Sequence, residues 1–143
     1  MAEASRAFAK ERRRAGLVLG VLPGAGTGRS AGAPPGYPNP WVEIAVRTHL
    51  PERGGRGRAP LSRNHVNVLT CDALIALPGG AGTASEVDLA LAYGRPLVAW
   101  LEARAEIAGL AKEARVERDF EAVAAWLRAE LARGEPPAGG IRS

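Results

Sequence analysis

The sequence is poor in several residue types, and each shortage excludes something. It has one cysteine, two histidines, three Trp, two Tyr and two Phe in 143 residues. Cys71 has no partner for an intrachain disulfide, and cytoplasm is the expected compartment. His49 and His65 have no Cys, Asp or Glu spaced around them as metal ligands, so no metal site is expected. No window approaches the roughly 18 consecutive apolar residues of a membrane span, and no membrane association is expected. The first fourteen residues scatter charges without the apolar stretch of a signal peptide. With so few aromatics, the core must be filled thinly, with alanine prominent.

Lysine is scarce as well: Lys10 and Lys112 are the only two, so arginine carries nearly all the positive charge of a chain with formal charge +4. Arginine suits bidentate recognition of phosphate and carboxylate. Biased codon usage towards Arg, Ala, Gly and Pro accounts for the larger part of this composition. The length fits one domain, over residues 1–134, with no internal repeat. The tail 135–143 has no pattern that would order it.

Strands alternate with helices, which predicts an α/β fold with a parallel sheet and helices on both faces. Residues 2–14 read as a helix stopped by Gly16. Leu17–Leu22 reads as a strand buried on both faces, and Trp41–Arg47 as a second strand. Between them lies a Gly/Pro-rich loop. Pro51–Pro60 reads as a solvated, mobile loop. A helix over 62–71 precedes the clearest strand, Asp72–Leu77. Then follow a helix over Thr83–Tyr93, a strand over Arg95–Leu101, helical residues 105–113, a short edge strand at 114–117 and a helix over 119–133. The last helix aligns Phe120, Val123, Ala124, Leu127 and Leu131 on one face.

The chemistry concentrates where the strand Asp72–Leu77 meets Pro78-Gly79-Gly80-Ala81-Gly82-Thr83 and a helix begins at once. A strand, a glycine loop and a helix N-terminus make an anion site: the first helical N–H groups lack partners, and the helix dipole favours negative charge. Glycines there allow close approach and positive φ. The spacing is neither a Walker A loop nor Gly-x-Gly-x-x-Gly. A purely structural reading competes on equal terms. Thr83-Ala-Ser-Glu86 is also a capping box, with Thr83 as cap and Glu86 reaching back, and that needs no ligand.

Pro78-Gly-Gly-Ala-Gly-Thr-Ala-Ser-Glu86 resembles the PGGxGTxxE signature of the LOG/lysine-decarboxylase-like (SLOG) superfamily. Gly16–Gly24, Asn39–Glu43, Ser62–Asn67 and Leu89–Val98 are similar to the branch containing the molybdenum-cofactor carrier proteins. The resemblance spans roughly residues 2–101 and implies a Rossmann-like fold. It implies a phosphate on the loop Gly79–Thr83, with Asn64 and Pro78 near the cleft; the run Gly24–Gly28, placed just after a strand end, is a further candidate for lining it, although no helix pattern follows that run. It also implies catalytic roles for Arg63 and Glu86 in cleaving nucleoside 5′-monophosphates to base and ribose 5-phosphate. Such cleavage builds positive charge on the ribose, which a carboxylate can stabilise while an arginine holds phosphate. Asn64 stands where the cytokinin-activating members carry lysine, which points towards the carrier branch. No cofactor is required on this reading, and molybdenum cofactor is the alternative bound ligand. Family members begin with a further strand, helix and strand, so the chain is expected to lack the family's first βαβ unit, roughly 30 residues. An inactive fragment is therefore a third reading. Relatives imply a homo-oligomer.

Other residues weigh less. Arg53, Arg56 and Arg58 read as solvated loop charges rather than a funnel for phosphate. A single Arg-Gly-Gly-Arg gives little support for nucleic-acid binding. Tyr37 and Trp41 read as packing residues, Cys71 as a small core residue, and Ser85 lacks a base for nucleophilic use.

Overall fold

A computed structural model describes residues 2–24 and 34–134. The expected tail 135–143, and Ala25–Gly28 of the run that follows the first strand, lie outside the described residues.

Helix α1 (Ala2–Lys10) stops four residues earlier than the sequence pattern suggests. The cause is visible in Arg14. Its guanidinium donates to both Glu43 oxygens at 2.6 and 2.7 Å and to the Gly16 carbonyl at 2.9 Å. Glu43 Oε2 also accepts from the Val18 N–H at 2.9 Å. The Arg14 bond and then the Val18 N–H hold the Glu43 carboxyl down at about 2. This clamp bends the chain out of α1 and into strand β1 (Leu19–Leu22).

β1 pairs in parallel with β2 (Ile44–Arg47), Leu19 opposite Ile44 and Leu22 opposite Arg47. The expectation of a strand buried on both faces holds only for its second half. Val21 and Leu22 are buried, but Leu19 is 56 % exposed and β2 is exposed throughout. Trp41 lies in a turn before β2, with the Lys10 ammonium 5.4 Å from its ring.

The second sheet is also parallel, in the order β3-β4-β5, from β3 (Leu74–Ala76), β4 (Leu97–Trp100) and β5 (Val116–Glu117). Central β4 buries Val98 and Ala99 completely. Side chains alternate across a strand, so these two residues face opposite ways. On the Leu97/Ala99 side lies α3 (Ala81–Ala92), whose Val87 joins Ala76, Ala99 and Leu101 in one core cluster. Leu89 and Ala90 of α3 form a second cluster with Val68 of α2 (Asn64–Thr70). On the other side, the Trp100 ring lies 5.3 Å from Phe120 of α4 (Phe120–Gly134). Helices thus cover both faces, and the chain is Rossmann-like α/β as expected. On α4, Val123 is buried, whereas Phe120 and Leu131 at the ends of the predicted face are 56 % and 45 % exposed.

Two segments differ from expectation. Residues 105–113 do not form a helix; a 3-10 turn at Arg104–Glu106 is followed by turns, with Gly109 at φ +77°. Arg104 donates to the carbonyls of Ala111 and Ala114, tying the excursion together. Pro51–Pro60 is anchored rather than loose. Glu52 bridges to Ser62, and a 3-10 turn at Gly54–Arg56 packs on α3 through buried Gly57. Arg53, Arg56 and Arg58 are exposed as expected, with Arg56 paired to Glu52 and Arg58 to Asp88.

Candidate functional site

The glycine loop follows the carboxyl end of β3, where ligands sit in open α/β sheets. Its helix begins earlier than the capping-box reading requires. Gly80 is the N-cap, in extended conformation, and no side chain caps α3. Thr83 is therefore the third helical residue, not the cap. Glu86 does not reach back to the backbone; its Oε1 accepts from Asn67 Nδ2 at 2.9 Å. The capping box is thus absent, and the first N–H within the helix ladder is that of Ala84, bonded to the Gly80 carbonyl at 3.1 Å. The N–H groups of Ala81, Gly82 and Thr83 come before it, in the position that favours an anion.

The glycines have separate uses, and none of the three relies on the positive φ expected of them. A Cβ on Gly79 would lie 2.2 Å from Thr83 Oγ1, so any side chain there would force the Thr83 side chain or the loop to move. The Gly79 N–H is already committed to the Glu106 carbonyl at 3.1 Å. At Gly80 a Cβ would meet nothing within 4 Å, and at Gly82 only Gly54 Cα at 3.9 Å. Packing does not demand glycine at these two positions.

Helix α2 supplies the facing side. Asn64 is buried, and its amide donates to the Gly82 carbonyl at 3.4 Å. Arg63 precedes α2, and Asn67 follows one turn later on the same face. The Arg63 guanidinium carbon lies 5.6 Å from the Tyr37 ring centroid, while its Nε is buried with no hydrogen-bond partner among the described residues. A groove of about 600 Å³ gathers Arg63, Asn67, Thr83, Glu86, Pro78, Gly79 and Tyr37 along its walls. It is also lined by every residue of Leu19–Leu22 and of Leu74–Leu77. Consecutive residues of a strand point to opposite faces, so a groove touching all of them meets β1 and β3 edge-on.

Of the residues singled out from sequence, Arg63, Glu86, Pro78, Gly79 and Thr83 come together at this groove. Asn64 stands behind the wall, bracing the first turn of α3. Gly24 packs elsewhere: it is buried, donates to the Leu50 carbonyl at 2.9 Å, and a Cβ there would lie 3.0 Å from the His49 backbone. Ser85 is structural, donating to the Ala81 carbonyl at 2.8 Å and the Gly54 carbonyl at 3.2 Å. Cys71 is half-buried beside the groove, and burial pushes its thiol above the ordinary range. The His65 ring is engaged by Tyr93 Oη and the Ala59 carbonyl. Sequence reasoning missed Asn67 as a partner of Glu86. It also missed Gly57, where a Cβ would lie 2.5 Å from Asn64 Nδ2 and 2.7 Å from Ser85 Cβ. The density of glycine at Gly54-Gly55-Arg56-Gly57 was the available signal for the second.

The model of the SLOG cluster4 family matches residues 1–125. The chain belongs to the SLOG cluster4 family. No curated protein and no solved structure matches it. In this SLOG chain, Pro78, Gly79 and Thr83 of the signature loop line one groove with Glu86 and Arg63, whereas Gly80, Ala81 and Gly82 of the same loop do not line it. Among the described residues no helix is long and apolar enough to cross a membrane.

Proposed function

We propose that this SLOG chain binds a phosphorylated, nucleotide-like ligand, with the phosphate on the free N–H groups of Ala81, Gly82 and Thr83. The observation that carries the reading is the uncapped first turn of α3, with Thr83 and Glu86 turned to the groove instead of to the helix end. The Arg63 guanidinium supplies positive charge on the wall of the same groove. A groove of about 600 Å³ falls within the usual range for small-ligand sites.

Turnover would use Glu86 as the carboxylate beside the ribose of a nucleoside 5′-monophosphate, releasing base and ribose 5-phosphate. One observation favours binding without turnover, in the manner of a molybdenum-cofactor carrier. Asn64 is buried against the Gly82 carbonyl, so the position occupied by lysine in the cytokinin-activating members contributes no charge to the groove. Another observation bears on the fragment reading. The groove runs along edges of β1 and β3 that pair with no other strand among the described residues, as they would if a family strand belonged between them. For the homo-oligomer, exposed Leu69, Leu91 and Tyr93 on the packed pair α2 and α3 offer an apolar surface.

Thermal melts with millimolar AMP, GMP, ribose 5-phosphate and inorganic phosphate test the reading. Ligand at 100 times its Kd stabilises by about 2.7 kcal/mol through mass action. The expected result is a raised midpoint that Gly82→Asp abolishes, since a carboxylate then faces the phosphate. A cooperative melt that none of these compounds moves would sink the proposal. If the midpoint rises, an assay for released base, with Glu86→Gln as control, separates hydrolase from carrier.

A further inference from the structure

We propose that Tyr37, held by Arg63, is the stacking platform for the ring system of the nucleotide-like ligand. This rests on the phosphate reading above and adds the other half of the molecule.

The sequence alone favours a packing role for Tyr37, but the structure does not bury it. The ring belongs to neither core cluster and is 39 % exposed, on the wall of the groove that holds Thr83 and Glu86. Its position is nonetheless fixed. The Tyr37 N–H donates to the Pro34 carbonyl at 3.1 Å. Two residues on, Asn39 accepts from the Trp41 N–H at 3.0 Å and donates to Ser5 Oγ of α1 at 3.4 Å. A loop closed by its own turn, tied to α1 through Asn39, that still presents a partly exposed aromatic ring to the groove is preorganised to bind rather than to pack.

The neighbouring charge supports the same use. The Arg63 guanidinium lies over the ring at 5.6 Å to the centroid, a cation–π arrangement. Guanidinium planes and tyrosine rings are both surfaces on which flat heteroaromatic rings stack.

The size also fits. Tyr37, Arg63, Thr83 and Glu86 line the same groove, and its volume of about 600 Å³ accommodates a phosphate, a ribose and a ring.

The experiment measures binding of AMP, ribose 5-phosphate, adenosine and pterin by melting midpoint and calorimetry, in the unaltered chain and in Tyr37→Ala, Tyr37→Phe and Gly82→Asp. Tyr37→Ala is expected to weaken AMP about tenfold and to leave ribose 5-phosphate unchanged. Tyr37→Phe should retain AMP affinity, because the ring and not the hydroxyl stacks. Weak adenosine or pterin binding should survive Gly82→Asp and vanish in Tyr37→Ala, and which of the two binds better names the ring system. The unliganded melt of Tyr37→Ala should be unchanged, since the ring is not in the core. If AMP binds no more tightly than ribose 5-phosphate, or if Tyr37→Ala weakens both equally, the platform is overturned while the phosphate reading stands. If adenosine binds through Tyr37 but phosphate and its esters add nothing, the phosphate reading fails alone. Binding of none of the four compounds overturns both.

Discussion

Asn67 Nδ2 donates to Glu86 Oε1 at 2.9 Å, joining α2 to α3 across the wall of the groove. The bond takes the signature glutamate away from the helix end and fixes one carboxylate oxygen. A double-mutant cycle with Asn67→Ala and Glu86→Ala measures it. Each single change should cost about 1 kcal/mol, the usual worth of a hydrogen bond to a partly buried partner. The cycle should return a coupling of about 0.5–1.5 kcal/mol, since both changes remove the same contact. A glutamate serving as a helix cap would give additive effects, and zero coupling would refute the assignment.

The loop glycines separate stability from binding. Gly79→Ala places a methyl 2.2 Å from Thr83 Oγ1, and either the hydroxyl or the loop must move. We expect a loss of about 1–3 kcal/mol, as for other overpacked sites. Gly82→Ala meets only Gly54 Cα at 3.9 Å and lies in the helix, so it should stabilise the unliganded protein by about 0.5–1 kcal/mol. The same methyl narrows the approach to the free N–H groups and should reduce the midpoint shift produced by AMP. Gly82→Ala that is stabilising and binds AMP fully would mean the phosphate does not come to this face.

Much of this was legible in the sequence because short-range rules decide it. The strands at Leu74–Ala76 and Leu97–Trp100, helix α2 and helix α4 follow apolar runs and helical periodicity that the local sequence carries whole. Arg63 and Glu86 were legible only through the resemblance of the signature and its upstream arginine, and it is the packing of α2 on α3 that brings both to the groove. The failures are long-range. Whether Thr83 or Gly80 caps α3 depends on Asn67, nineteen residues upstream of Glu86, offering the carboxylate a better partner. The end of α1 depends on Glu43, twenty-nine residues from Arg14. The exposure of Leu19 depends on which strands lie beside β1, and no local pattern reports that.

The Arg14–Glu43 clamp makes a prediction about pH. The folded state holds the Glu43 carboxyl at about 2, below its ordinary 4.5. A depressed carboxylate contributes stability that is fully present above the unfolded value and disappears as pH falls through the folded one. Melting midpoints of the unaltered chain and of Glu43→Gln should therefore differ by a constant amount from pH 7 down to about pH 5. The gap should shrink steadily between 4.5 and 2 and vanish below that. A gap that stays constant down to pH 2 would show that ionisation of Glu43 is not what the clamp uses. Added salt should narrow the gap at neutral pH, because the pair faces solvent.

Gly57 couples the loop over Pro51–Pro60 to the groove, although it does not line it. It is buried against α3, and a Cβ there would lie 2.5 Å from Asn64 Nδ2 and 2.7 Å from Ser85 Cβ. Both neighbours support the first turn of α3: Asn64 bonds the Gly82 carbonyl, and Ser85 bonds the carbonyls of Ala81 and Gly54. Gly57→Ala must push the loop off α3 or turn Asn64 away. Its expected cost is about 1–3 kcal/mol, with weaker binding of AMP as the N–H groups lose their alignment. Gly55→Ala, two residues earlier on the same turn, meets nothing within 4 Å and should leave both quantities unchanged. Denaturant melts and AMP titrations of the two variants side by side decide the point. Equal behaviour would mean that the turn over Gly54–Arg56 merely rests on α3 and does not brace it.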